Sequence, residues 1–123
     1  MIGYVTLGTN DLDKAAAYYD ALLAPLGGKR FMELESFIAW SSDPKSPALC
    51  VTRPFDGKAA TVGNGVMVAL FAGSTENVDK LHALALELGG SDEGAPGPRG
   101  DNFYGGYFRD LDGNKLNFFC LTG

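Results

Sequence analysis

Acid–base or metal chemistry at neutral pH draws mostly on histidine, activated cysteine or clustered carboxylates, and this sequence is short of all three. His82 is the single histidine. It falls at the edge of an apolar helical stripe, with no Ser, Cys or carboxylate set against it in a recognisable motif, so it reads as a residue on the solvent edge of a helix. Cys50 and Cys120 have no CxxC or Cys/His spacing, which argues for two buried thiols and against a structural zinc site or a disulfide. Cys50 and Met67 are soft donors that could hold Cu(I) with Tyr4 above the centre, yet both types are ordinary core fillers, and the core reading is preferred. Asp110, Asp112 and Asn114 imitate the start of a calcium loop, but the downstream Glu is missing and Gly113 stands at the wrong place. They read as turn residues. Gly63-Asn64-Gly65 lacks the spacing of a phosphate loop.

Whatever these residues do depends on the elements that hold them. Residues 2–7 alternate as a strand. Asn10 is expected to cap a helix over residues 11–23, whose Leu12, Ala15, Ala16, Tyr19, Leu22 and Leu23 form one stripe; Pro25 and Gly27-Gly28 stop it. Strands are expected over residues 30–35, 37–41 and 48–53. The chain then repeats itself: a strand over 66–71, an N-cap at Ser74, and a helix with Val78, Leu81, Leu84, Ala85 and Leu88 on one face. Residues 91–101 are rich in Gly and Pro and read as a mobile loop, with room for a short strand whose place the sequence does not fix. Residues 102–121 form a hairpin around Asp112-Gly113, with Tyr107 lying across from Asn117 if the turn spans 111–113.

Leu-Gly-Gly ends both helices, at Leu26 and again at Leu88, 62 residues apart, about half of the 123-residue chain. An internal duplication accounts for this. The reading is therefore an α+β single domain over 1–123 made of two βαβββ half-repeats, about 1–57 and 63–123. They would form a curved mixed sheet with the helices on the convex side and a hollow on the other.

A net charge of −5 and a pI near 4.6, with no Lys/Arg cluster, speak against nucleic acid or an anionic membrane surface as partners. No apolar run is long enough to span a bilayer, and Met1 leads directly into a strand, so a cytoplasmic protein is expected.

Three segments carry a family resemblance: Met1-Ile2-Gly3-Tyr4-Val5-Thr6-Leu7-Gly8-Thr9-Asn10-Asp11-Leu12, then Tyr18-Tyr19-Asp20-Ala21-Leu22-Leu23-Ala24-Pro25-Leu26-Gly27, and Phe108-Arg109-Asp110-Leu111-Asp112-Gly113-Asn114-Lys115-Leu116. With them the chain resembles the glyoxalase, bleomycin-resistance and extradiol-dioxygenase superfamily, also called vicinal oxygen chelate proteins. The resemblance implies the paired βαβββ fold, a homodimer and, in the enzymatic branches, one divalent metal held by His and Glu. The matching positions here are Tyr4, Cys50, Met67 and Asn117, none of them a ligand of that kind. No cofactor or metal is therefore expected. The expected function is metal-free binding of a small organic ligand by Tyr4, Trp40, Cys50, Met67, Tyr107 and Asn117, as sequestration or as an unassigned activity. Trp40, on a central strand, reads as core packing with the pocket wall as its alternative place, and Arg53 and Lys115 read either as solvated strand residues or as attractors of an anionic ligand at the rim. The alternative is a divergent metal-dependent lyase or dioxygenase.

Overall fold

The computed structural model describes all residues, 1–123. It divides into two compact units, Met1–Val62 and Gly63–Gly123. The first runs β1 (Tyr4–Gly8), α1 (Leu12–Leu23), β2 (Lys29–Glu33), β3 (Phe37–Ser41) and β4 (Ala48–Thr52). The second runs β5 (Val68–Phe71), α2 (Thr75–Glu87), β6 (Ser91–Pro98), β7 (Phe103–Arg109) and β8 (Lys115–Leu121). Each unit has its own four-stranded mixed sheet, ordered β1-β4-β3-β2 and β5-β8-β7-β6. The first and last strands of each unit pair in parallel, and the other pairs are antiparallel. The α+β class and the two βαβββ half-repeats are thus present.

Local chemistry explains the element ends. The Asp11 side chain, not Asn10, accepts the Lys14 N–H and caps α1; Asn10 instead exchanges two hydrogen bonds with the Ala60 backbone. Ser74 caps α2 by accepting the Asn77 N–H. These caps lie 63 residues apart, so the duplication extends to the helix starts. A left-handed glycine follows each helical segment, Gly27 at φ 80° and Gly89 at φ 112°.

In the first unit α1 covers one sheet face. Trp40 and Tyr19 pack ring to ring, with Leu7, Leu49, Val51 and Ile38 buried around them. In the second unit α2 lies close against β7. A side chain at Gly106 would strike the His82 ring at 3.1 Å, so glycine is what allows this approach. His82 is buried, not at a solvent edge as its position in the stripe suggested. Its Nε2 lies 3.0 Å from the Tyr107 carbonyl and 3.2 Å from Asp92 Oδ1.

The segment expected to be a loop is the eight-residue strand β6. It pairs with β7 through two register shifts, around Gly94 and between Gly94 and Gly97. Bulges on an edge strand accommodate Gly and Pro that a central strand would reject. The hairpin that follows closes through five residues. In it Asp110 Oδ1 accepts the Asp112 and Asn114 N–H groups and Gly113 takes φ 88°.

Candidate functional site

Strand alternation assigns each side chain to a face. In the first unit the face away from α1 carries the rung Tyr4, Ala48, Ser41 and Lys29 and the rung Thr6, Cys50, Ala39 and Met32. Ala39, Ala48 and Cys50 form a buried floor of small side chains, with Phe37 packed against it. Around that floor stand taller groups, Tyr4, Phe31 and Met32, all substantially exposed. Low floor and high walls leave a cavity of about 640 Å³. Its far end is polar, closed by the loop from Ser42 to Ser46. There Asp43 accepts the Ser46 hydroxyl at 2.7 Å and the Lys45 N–H at 2.7 Å, bonds that hold its carboxyl below the usual range and fix the loop. The volume lies within the range of small-molecule pockets.

Tyr4 and Cys50 line this cavity. Trp40 does not, which corrects its expected place in the pocket wall. It occupies the opposite face of the same sheet, 1% exposed, and its indole N–H donates to Asp20 Oδ1 at 2.8 Å. The β3 sequence Phe-Ile-Ala-Trp-Ser is apolar at adjacent positions, so no alternation revealed which of Ala39 and Trp40 faces the hollow. The residue that shapes the site is the alanine. Ala39, Ala48 and Lys29 are pocket residues that the sequence reading passed over. Arg30 also touches the cavity, but its guanidinium is engaged with Asp20, at 2.8 and 2.7 Å, and with Glu33. The carboxylates hold its proton more tightly, and Arg30 in turn is the main cause of the lowered Asp20 carboxyl.

Burial pushes the Cys50 thiol up, so it is neutral at pH 7 and neither a good nucleophile nor a thiolate ligand. In the second unit, Tyr107 pairs with Asn117 across the β7–β8 ladder, and Ala69 pairs with Asn117 from β5. This rung faces away from α2, because on the other face Tyr104 donates its hydroxyl to Asp79 of that helix and Gly106 meets His82. The offset between the helix caps places Ala69 on Thr6, and the pairings then place Asn117 on Cys50. Met67 lies just before β5 and is exposed. Arg53 follows β4 and is not among the cavity residues.

Tyr4, Cys50, Met67 and Asn117 offer a phenol, a neutral thiol, a thioether and an amide. Hard and borderline divalent ions take carboxylate oxygen, imidazole or thiolate, so neither Tyr4 and Cys50 in the first unit nor Met67 and Asn117 in the second offers a fitting ligand. Nor do three or more His, Cys, Asp or Glu gather anywhere in the chain.

The model of the Glyoxalase/Bleomycin resistance protein/Dioxygenase superfamily matches residues 1–118. The chain belongs to that superfamily. Among solved structures, a glyoxalase/bleomycin resistance protein from Albidiferax ferrireducens is 36% identical over 97% of both chains, with a TM-score of 0.88. A hypothetical protein from S. aureus is 26% identical over 100% of this chain and 93% of its own, TM-score 0.76. A lactoylglutathione lyase from Agrobacterium tumefaciens, 19% identical over 97% of this chain and 92% of its own, shares the fold at a TM-score of 0.70. No curated protein matches the sequence. No helix is long and apolar enough to cross a membrane.

Proposed function

We propose that this superfamily member works without a metal and binds a small, mainly apolar organic molecule in the cavity of the first unit, either sequestering it or turning it over by an unassigned activity. The observation that carries this reading is the cavity of about 640 Å³ floored by Ala39, Ala48 and Cys50. Side chains that small on a sheet surface leave room where larger ones would fill it. Tyr4 supplies a ring and a phenol at the wall, and the neutral Cys50 thiol is a weak donor in the floor. The metal-free part rests on the unsuitable donors at Tyr4, Cys50, Met67 and Asn117. A cytoplasmic location fits two cysteines that are free and buried.

A thermal-shift screen of aromatic and aliphatic small molecules tests the binding, since a molecule bound only by the folded chain raises its apparent stability. Hits are expected to lose their shift in Ala48→Leu, which fills the floor, and to weaken in Tyr4→Ala. Hits unaffected by either change would remove the cavity from the account. Metal analysis of the purified protein is expected to find no stoichiometric Ni, Zn, Mn or Fe. Stoichiometric metal restored on refilling would favour the lyase or dioxygenase alternative.

A further inference from the structure

On the face of the second unit away from α2, Asn117 is 1% exposed, and neither its Oδ1 nor its Nδ2 has a hydrogen-bond partner. Leaving a buried polar group unpaired is destabilising, so an idle amide here calls for a reason. Its neighbours follow from the ladders. On one side lies Tyr107 and on the other Ala69, a small and exposed residue on an edge strand. One rung away, Phe71 and Phe119 meet at 5.5 Å and Phe119 stacks on Phe103 at 5.3 Å. On the opposite side stands Lys115. Ala69 is therefore a low step beside Phe71, next to the closed-off amide.

The charge around this notch is one-sided. Arg109 is paired with Glu93, but Lys115 and Arg99 have no carboxylate partner. Both lie against the Tyr107 ring, at 5.6 and 5.4 Å, and the Arg99 guanidinium donates only to the Ala95 and Pro98 carbonyls. Both cations thus border the Tyr107 ring that neighbours the amide, in a chain of net charge −5. They repel a metal ion and attract an anion.

We propose that this notch binds a small aromatic carboxylate. Its ring lies on Phe71 and Phe119, and its oxygens accept from Asn117 Nδ2 and Lys115 Nζ, with Arg99 adding to the field. The proposal rests on the reading that sheet faces free of helix are ligand surfaces, and it adds the charge class. It involves residues of the second unit only, so the Ala48→Leu test of the cavity is read independently.

The probe is benzoate, titrated into the full chain and followed by the Asn117 side-chain amide resonances. Benzamide serves as the uncharged analogue. Benzoate is expected to shift the Asn117 amide and to bind about tenfold tighter than benzamide, the scale of one charge-assisted hydrogen bond. Lys115→Gln should remove that preference, Ala69→Leu should abolish binding by filling the notch, and Lys80→Gln, a charge loss on the exposed face of α2, should change nothing. Raising the salt should weaken benzoate and not benzamide. No shift at Asn117 at millimolar benzoate, equal affinity for the two probes, or an unchanged preference in Lys115→Gln would each overturn the proposal.

Discussion

Two residues hold equivalent places in the two halves and solve the same problem differently. Cys50 and Asn117 each occupy the central rung of their sheet, on the side away from the helix. The thiol tolerates burial as a small hydrophobe, whereas the amide does not. Asn117→Leu keeps the volume and removes two unpaired polar atoms. It is expected to raise the unfolding free energy by about 1–2 kcal/mol, seen as a higher urea midpoint at unchanged slope, while benzoate binding is lost. A destabilised variant would mean that the amide has an internal partner. For Cys50 the shift sets a pH window. Its folded pKa is raised above the ordinary 9.0, so the protonated thiol stabilises the fold fully below that value and the contribution fades as pH climbs past it. Cys50→Ala should flatten the alkaline limb of a stability–pH curve, and maleimide should label Cys50 slowly at pH 7. Of these residue-level properties, the sequence conveyed that Asn117 puts a neutral amide where the family resemblance implies a carboxylate. It could not convey the amide's isolation, which depends on what lies across two ladders.

At the level of elements, what could be read from the sequence were the features with a period. Both helices and the β7–β8 register followed from spacing and turn chemistry, and Tyr107 does stand opposite Asn117. Strand β6 escaped because Gly94, Pro96, Gly97 and Pro98 hide an edge strand, where bulges make such residues acceptable. For Trp40 the core and the pocket wall stood as alternatives because β3 is buried on both faces, so its composition carries no parity, and the structure gives the core. Its real role is to help tie α1 to the sheet. Asp20 on α1 accepts from the Trp40 indole and from Arg30 of β2, and Arg30 lies 5.9 Å over the Trp40 ring. Asp20 is half exposed, so its ion pair with Arg30 contributes under about 1 kcal/mol after solvent screening, while the bond to the buried indole contributes about 1 kcal/mol. The Arg30 hydrogen bonds lower the Asp20 pKa, so its stabilisation is present above the ordinary carboxyl value of 3.8 and is lost as pH falls through the lower folded value. Asp20→Asn is expected to flatten this acid limb in urea titrations. Equal acid sensitivity of both proteins would assign that limb to other carboxylates.

For the whole molecule, the duplication sets what remains uncovered. Each half buries one sheet face under its own helix, and much apolar surface of the chain remains in water. Tyr4 is 66% exposed, Phe71 61% and Leu121 70%, with Ile2, Phe31, Leu34 and Val66 also more than half exposed. Scattered apolar residues need no partner, but these concentrate on and beside the first strands of each half and the edge strand β2. Strand β2 is exposed at all five positions, and a bare edge of that kind invites pairing unless something covers it. The homodimer that the family resemblance implies would provide the cover. A net charge of −5 on each 13.0 kDa chain opposes association weakly once salt screens it, whereas apolar burial is unaffected by screening. Sedimentation velocity is therefore expected to give twice the chain mass, with the dimer persisting or tightening as salt rises. Phe31→Glu, which places a charge among the exposed groups of β2, should shift the population towards monomer without lowering the unfolding midpoint of the monomer itself. A chain that sediments at 13.0 kDa at all salt concentrations would show that these faces are left to ligand and water.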